Sequence, residues 1–315
     1  MRIVSLLPSA TEILALVGLA DQLVGVSHEC DYPSAVRKLP HVTRSAIGGG
    51  LPSKEIDRLV REQLETEQAL YHLDLDLLRE LKPDFIVTQA LCDVCAVAAS
   101  EVDAAACLLP GNPKVINLEP MCLEEVFETI ALVGEETGHQ QQASDALNQL
   151  RQRVANIRET AATIPDAERP RVAFLEWIDP LFNAGHWTPE LIEYAGGIDC
   201  LGSKHQPSRT IPAQELVAAK PDVLFVAQCG FEEQRTEQDL PLLSSIANIE
   251  GLPCSQSGKL FYTDGNAYFS RPGPRLVDSL EIMAHALHPE RFPLPKELKL
   301  AQRFELTSTR YRQSG

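Results

Sequence analysis

Residues 81–95 read LKPDFIVTQALCDVC, and this stretch decides the fold. Its Lys-Pro-Asp segment ends a helix, because proline cannot extend one and pushes the preceding residue out of the helical region. The apolar run Phe85-Ile86-Val87 is typical of a fully buried parallel strand. Gln89 and the Cys92-x-x-Cys95 pair then place polar and thiol chemistry just beyond the carboxyl end of that strand.

The same pattern occurs again in the second half of the chain. Lys220-Pro221-Asp222 precedes the apolar run at 223–226, and Gln228 and Cys229 follow it. Strands that alternate with helices predict an open parallel sheet, which binds ligands beyond the carboxyl ends of its strands. We therefore predict an α/β fold with two Rossmann-like lobes, each holding a parallel sheet, and a ligand cleft between the lobes.

A helical pattern between the two halves predicts how they are joined. Ala143, Leu147, Leu150, Val154 and Ile157 recur at helical spacing, and the helix would span about 30 Å at ~1.5 Å per residue. The predicted organisation is an N-terminal lobe at 1–138 with a helical excursion at 44–72, a connecting helix at 139–164, a C-terminal lobe at 165–295 and a loosely structured tail at 296–315.

Composition excludes several classes of function. The formal net charge of −16 argues against nucleic acid or an anionic membrane as a partner. No apolar run approaches the ~18 residues that a membrane span needs, so we expect no membrane insertion. Met1-Arg2 leads straight into the predicted strand at 3–7, with no signal peptide or lipid-attachment cysteine nearby. We therefore expect a cytoplasmic protein whose thiols are mainly reduced.

The loops that follow the predicted strands are rich in aromatic and polar side chains and poor in charge. If the two halves face one another, these loops open into one cleft that suits a large planar or amphipathic ligand. The alternative is that several of the aromatic side chains belong to the cores of the lobes. The predicted ligand-binding residues are Ser9, His28, Tyr32, Gln89, Leu91, Trp177, Phe182, His186, Trp187, Gln228, Tyr268, Phe269 and Arg271.

The cysteines raise a second possibility, a cysteine-ligated metal or iron–sulfur protein that uses the same cleft and could be an enzyme. Cys30, Cys92, Cys95 and Cys229 are each predicted on a strand-exit loop, and four thiolates could hold zinc or an iron–sulfur cluster. Ordinary partly buried thiols and a redox pair are the other interpretations of the same residues.

Two loop histidines could serve as metal ligands. His28 and His186 could ligate a cobalt, iron or zinc centre, although a loop histidine that bonds to backbone is the alternative for each. The sequence contains no Ser-His-Asp order, no phosphate-binding loop and no Gly-x-Gly-x-x-Gly. We therefore predict a binding protein and not an enzyme.

Four motifs resemble those of one known family. They are SLLPSATE at 5–12, VGVSHECDYP at 24–33, the two Lys-Pro-Asp strands and SRPGPR at 270–275. Over 2–289 the chain resembles the helical-backbone substrate-binding proteins of cobalamin and iron-chelate ABC importers, and above all their cobalamin-binding branch. The resemblance implies two α/β lobes, one connecting helix and a corrinoid gripped edge-on between the lobes, so that cobalamin or a similar chelate is the ligand.

The same resemblance assigns residues and partners. Tyr32 matches the tyrosine of the family's Asp-Tyr-Pro loop, Phe182 matches an aromatic residue of the second lobe, and Tyr268-Phe269 match the aromatic pair before the last helix. Leu91 lies in a loop that offers tryptophan in the family. The implied partner is an ABC permease, and a cytosolic acceptor protein is the alternative for a chain without an export signal.

Overall fold

The structure is a computed structural model that describes residues 1–66, 70–89, 97 and 99–306. The chain forms two compact units. Unit 1 comprises residues 1–150 and 272–274, and unit 2 comprises the remainder of the chain. No helix within the described residues combines the length and the apolar character needed to cross a membrane.

Unit 1 is an α/β unit. Its elements in chain order are β1 (Ile3–Ser5), α1 (Pro8–Leu16), β2 (Leu23–Val26), β3 (Thr43–Ser45), α2 (Ser53–Glu65), β4 (Tyr71–Leu73), α3 (Leu75–Leu81), β5 (Phe85–Thr88), α4 (Ala99–Leu108), β6 (Lys114–Asn117) and α5 (Leu123–Thr137). Four strands form a parallel sheet in the order β2-β1-β5-β6. Buried apolar side chains such as Val4, Leu78 and Ile86 form the core beside it.

The excursion at 44–72 contains more than the predicted helix. Strands β3 and β4 pair in antiparallel fashion, with Thr43 opposite Leu73, and α2 lies between them in the chain. The charged face of α2 is internally paired, since Arg58 binds both Glu55 and Glu62. The two strands were not predicted, because three-residue strands show too little alternation to be recognised.

The long helix predicted between the two halves is present as α6 (Gln140–Ala162), and the division between the units falls inside it. Unit 2 continues with β7 (Arg171–Trp177), β8 (Phe182–Asn183), α7 (Thr188–Tyr194), β9 (Ile198–Asp199), α8 (Ala213–Ala219), β10 (Val223–Val226), α9 (Glu233–Leu243), α10 (Pro253–Gln256), β11 (Leu260–Tyr262), α11 (Leu276–Leu287) and β12 (Gln302–Arg303).

The sheet of unit 2 has the order β12-β11-β10-β7-β8, with β9 also paired to β7. Strands β11, β10, β7 and β9 are parallel, whereas β12 and β8 add antiparallel edges. The prediction of a loosely structured tail is wrong at β12, which extends the sheet while Phe304 and Leu306 pack against the core. The predicted α/β class with parallel sheets in two units is confirmed.

Both Lys-Pro-Asp segments end a helix in the same way. Lys82 closes α3 with φ 46° and Lys220 closes α8 with φ 45°, so each lysine adopts the left-handed conformation that usually favours glycine. The proline that follows then directs the chain into β5 or β10. The repeated sequence therefore has a repeated structure.

Candidate functional site

A small pocket lies beside the carboxyl ends of β1 and β2 in unit 1. Tyr71 of β4 and Thr43 of β3 contribute to its wall, so the unpredicted strands help to form it. Its lining residues are Leu6, Ser27, His28, Glu29, Thr43, Tyr71 and Val97.

Among the residues that line this pocket, His28 has the side chain best suited to binding a metal or exchanging a proton. Its Nδ1 lies 2.7 Å from the Thr43 hydroxyl, which also accepts the His28 backbone N–H. The Tyr71 ring lies 5.6 Å away between centroids. Burial, together with the nearby His41, lowers the pKa of His28. The imidazole is therefore neutral at pH 7, which is the form that binds metals.

The other predicted residues of unit 1 lie in different surroundings. Tyr32 follows His28 in the loop after β2 and is 50% exposed. Ser9 is buried in the first turn of α1, and Gln89 is buried just after β5. Leu91, Cys92 and Cys95 lie outside the described residues.

The two described cysteines of the predicted metal site differ in environment. Cys30 is buried, and its sulfur lies 3.1 Å from Thr11 Oγ1 and donates to Ser27 Oγ. Cys229 is exposed at the end of β10 in unit 2. Contacts with these hydroxyl groups hold the Cys30 sulfur inside unit 1, whereas Cys229 lies at the surface of unit 2. The surroundings of Cys30 do not support the zinc or iron–sulfur interpretation.

Unit 2 divides the predicted aromatic residues into two groups. Trp187 and Phe269 are buried, and the Trp187 indole N–H donates to the Phe269 carbonyl oxygen over 2.6 Å. The Phe269 ring packs on two core phenylalanines, so both residues belong to the core. The half-buried residues that reach the surface are Trp177, Phe182, His186 and Tyr268.

Gln228 and Arg271 are occupied within unit 2. Gln228 is fully buried and accepts the backbone N–H of Ile178 over 3.2 Å. Arg271 is 6% exposed and donates to Asn266 over 2.9 Å. These contacts position the loops after β7 and β11.

Glu176 is an ionisable group that the sequence analysis did not single out. It lies near the carboxyl end of β7 and accepts the backbone N–H of Gly185 over 2.8 Å. Burial raises the pKa of its carboxyl group to about 7, although the Gly185 bond and the Ser208 hydroxyl oppose the shift. Gly185 packs so tightly that a Cβ there would lie 2.2 Å from the Ser208 nitrogen. Glu176 therefore ties two tightly packed loops to the sheet.

Three more residues at this edge escaped the sequence analysis. Phe231 contacts Trp177 with a centroid distance of 4.7 Å, and the Arg235 guanidinium lies 4.3 Å from the Phe231 centroid. Asp239 binds Arg235 over 2.9 Å. The i,i+4 spacing of Arg235 and Asp239 was a visible signal of an ion pair on a helix, but their contact with the aromatic pair depends on tertiary packing.

The sequence and the fold of the chain are both similar to those of known proteins. Residues 3–267 match the family described as Periplasmic binding protein, so the chain belongs to that family. Its members are binding components of transport systems, and the prediction that this chain is not an enzyme is confirmed by that membership.

Several individual proteins are similar over nearly the whole chain. The Vitamin B12-binding protein of Photorhabdus laumondii is 24% identical over 291 residues, which cover 91% of this chain and 88% of the relative. The B12-binding protein BtuF of Vibrio cholerae superposes with a TM-score of 0.66 at 20% identity, covering 91% of this chain and 96% of that one. A heme-binding protein of Pseudomonas aeruginosa gives 0.72 at 20% identity, with coverages of 96% and 98%.

The comparisons also correct one expectation. The prediction of a cytoplasmic location is wrong, because the chain belongs to a family of periplasmic binding proteins and the similar proteins of known structure from Vibrio cholerae and Pseudomonas aeruginosa are periplasmic. The residues around Met1 carried that prediction, and they do not outweigh family membership. The alternative partner, a cytosolic acceptor protein, depended on the cytoplasmic location and is therefore no longer supported.

Proposed function

We propose that the chain binds a planar metal chelate, with a corrinoid of the cobalamin type as its first ligand, and delivers it to an ABC permease. The relatives named for vitamin B12 and for heme support a ligand of this class. The resemblance found in the sequence motifs supports the corrinoid.

One observation carries the proposal: each unit presents half-buried aromatic rings beside the carboxyl end of its sheet. In unit 1 they are the rings of His28 and Tyr71, with the exposed Tyr32 in the same loop as His28. In unit 2 they are Trp177 and Phe231. Half-buried rings offer flat apolar faces at little cost in conformational entropy, and a macrocyclic chelate is itself flat and apolar on its faces.

His28 is our candidate for a ligand to the chelated metal. When Nδ1 carries the proton and donates to Thr43, Nε2 presents a lone pair, and the lowered pKa keeps the ring neutral. A hydrogen bond from the second ring nitrogen is the usual means of orienting a metal-binding histidine.

The test is an absorption titration of the purified chain with aquocobalamin and with hemin. We expect saturable binding of at least one chelate, with a band shift that is lost in His28→Ala and kept in His72→Ala, a histidine exposed on β4. Thr43→Val should weaken binding about tenfold by releasing the ring, and Thr43→Ser should restore it. Absence of any response to both chelates would exclude the proposed ligand class.

Delivery to a permease is tested separately. The loaded chain should stimulate ATP hydrolysis by a reconstituted B12-type or heme-type ABC importer more than the unloaded chain does. Equal rates with and without the chain would leave it a binding protein that does not serve that importer.

A further inference from the structure

The turn at 268–270 in unit 2 holds Phe269 in a backbone conformation that this type of residue rarely adopts. Its φ is 70°, and the Ser270 backbone N–H donates to the Tyr268 carbonyl oxygen over 2.9 Å. A hydrogen bond from residue i+2 to residue i around a positive φ makes a γ-turn of the rare and strained kind. The strain arises because the side chain crowds the following carbonyl oxygen. Such strain persists only where the surroundings enforce it, and it is concentrated at ligand sites.

The core of unit 2 enforces this turn through the Phe269 ring and both adjoining peptide groups. The ring packs against Phe174 and Phe225, with centroid distances of 5.0 and 5.5 Å. The Phe269 N–H donates to Ser279 Oγ over 3.0 Å, and its carbonyl oxygen accepts the Trp187 indole N–H over 2.6 Å. Phe269 and Ser279 are both buried, so water does not replace the bond between them.

The two hydrogen bonds act on different peptide planes. Ser279 holds the peptide that joins Tyr268 to Phe269, whereas Trp187 holds the peptide that follows Phe269. A fixed planar peptide limits rotation about the adjacent Cα–C bond of Tyr268, and so the direction in which that side chain points. The Ser279 hydroxyl is itself oriented, because it donates to the Arg275 carbonyl oxygen over 3.1 Å. Ser279 is therefore the residue that fixes the backbone from which Tyr268 projects.

Tyr268 is the half-buried residue that this anchored turn presents at the surface of unit 2. Its hydroxyl forms no hydrogen bond within the part of the chain that the structure describes. Burial is the main cause that raises the pKa of this hydroxyl, and Arg275, 5.9 Å from the ring centroid, lowers it. The carboxylates that raise the pKa further are those of Asp278, Asp264 and Glu233. The phenol therefore stays protonated and can donate a hydrogen bond.

The periphery of a macrocyclic chelate supplies a matching acceptor. A corrinoid carries amide oxygens at its rim, and a heme carries carboxylate oxygens. Both kinds of oxygen accept a hydrogen bond from a phenol. A protonated phenol is also a poor ligand for a metal, so the complementary group is a rim oxygen.

We propose that Ser279, through the γ-turn at Phe269, positions Tyr268 to donate its hydroxyl hydrogen to a rim oxygen of the bound chelate. Tyr268 touches the ligand, whereas Ser279 and Phe269 are positioning residues. This inference rests on the proposed function and adds to it the residues that orient the ligand on unit 2.

The experiment is an absorption titration of the full chain with aquocobalamin and with hemin, and it follows each chelate that binds. Tyr268→Phe removes only the hydroxyl and should weaken binding about tenfold. Ser279→Ala releases the peptide behind Tyr268 and should weaken binding about fivefold. In the double variant the serine change should add less than about twofold, because the group that it positions is already absent.

Two matched controls use the same substitutions elsewhere in unit 2. Tyr194 is also half-buried, with the Arg158 guanidinium 4.5 Å from its ring centroid. Ser255 has a hydroxyl that donates to the Ile249 carbonyl oxygen over 2.7 Å. Tyr194→Phe and Ser255→Ala should each leave the affinity within about twofold of the wild type. Circular dichroism checks that every variant is folded.

The outcomes separate the two proposals. A wild-type chain that binds neither chelate contradicts the proposed function. If the chain binds a chelate and Tyr268→Phe binds it equally well, only the role of the hydroxyl is contradicted. If Ser279→Ala weakens binding by the same factor with and without the Tyr268 hydroxyl, the serine acts on the structure as a whole and the positioning role fails.

A second variant covers the case in which Ser279→Ala does not fold. Ser279→Cys keeps the shape and replaces the oxygen by sulfur, which is a weaker acceptor. It should weaken binding about threefold in the wild-type background and leave Tyr268→Phe within about 1.5-fold. An equal loss in both backgrounds, or no loss in either, would overturn the positioning role of Ser279.

Discussion

The carboxylate of Asp84 accepts the backbone N–H of Arg2 over 2.7 Å. In unit 2, Asp222 accepts the backbone N–H of Arg171 over 2.9 Å. The Arg2 side chain also donates to the Leu81 carbonyl oxygen at the end of α3, and the Arg171 side chain donates to the Ala219 carbonyl oxygen at the end of α8. The aspartate of each Lys-Pro-Asp segment therefore fixes the position at which the neighbouring strand begins. That strand is β1 beside β5 in unit 1 and β7 beside β10 in unit 2.

These contacts predict the effect of removing either aspartate. Asp84→Ala and Asp222→Ala should each lower the free energy of unfolding by about 1 kcal/mol, with the larger loss for the less exposed Asp222. Urea denaturation measures the loss. Asp76→Ala serves as the control, because its side chain is 91% exposed and its pair with Arg79 lies at the surface. Losses no larger than the control would contradict this role.

The two lysines whose backbone adopts the left-handed conformation predict a gain in stability when they are replaced. Lys82→Gly and Lys220→Gly should each stabilise the protein by about 1 kcal/mol, because glycine adopts positive φ without steric cost. Lys54→Gly, inside α2, should destabilise by a similar amount, since glycine is a poor helix former. Thermal or urea unfolding distinguishes the expected gain from the expected loss of stability. If both Lys82→Gly and Lys220→Gly lower the free energy of unfolding, the lysine side chains contribute more stability than the left-handed backbone costs.

Glu176 predicts a dependence of stability on pH. Its folded-state pKa of about 7 lies above the ordinary value of 4.5, so between these values the folded state holds a proton that the unfolded state has lost. Its contribution to the unfolding free energy is therefore full below pH 4.5 and falls by about 3 kcal/mol as pH rises through 7. Glu176→Gln should match the wild type at pH 5 and exceed it at pH 8.

The measurement is urea unfolding from pH 5 to pH 8. Glu159→Gln, at an exposed position on α6, should reproduce the wild-type pH dependence. A difference between Glu176→Gln and wild type that stays constant over this range would show that the carboxyl group titrates near its ordinary value.

The two tryptophans predict unequal losses from the same substitution. Trp187→Phe removes the buried donor to the Phe269 carbonyl and should cost about 2 kcal/mol. Trp177→Phe also removes an indole donor, to Asp179, but water can replace it at this half-buried site, so about 1 kcal/mol or less is expected. We expect only the second substitution to weaken chelate binding. Equal losses of stability would contradict the assignment of Trp187 to the core.

The fold was predictable because its signals are local. The proline in each Lys-Pro-Asp segment ends a helix because of its fixed backbone angle, and the apolar run that follows is typical of a buried parallel strand. Because this pattern occurs twice, it predicts two α/β units with parallel strands. The tail was not predictable, since Phe304 and Leu306 acquire their role only by reaching β11 and the core beside it. The same holds for β3 and β4, which are too short to carry a periodic signal.

The candidate site was predictable in part. Loops beyond the strands were expected to carry ligand-binding residues. His28 and Tyr32 lie in such a loop, Trp177 is the last residue of β7, and all three have accessible surface. Trp187 and Phe269 are also aromatic residues in loops that follow strands, yet they are buried. Residue type and proximity to a strand end do not distinguish a ring that faces the solvent from one that turns inward.

The sequence by itself determined the twin strands, the helix ends and the long helix, because each depends on residues a few positions apart. Only the tertiary structure decided that Gln228, Asp239 and Arg235 support one aromatic surface and that burial raises the pKa of Glu176. The physical reason is that hydrogen-bond partners and loss of solvent are set by segments distant in the chain, which no local pattern encodes.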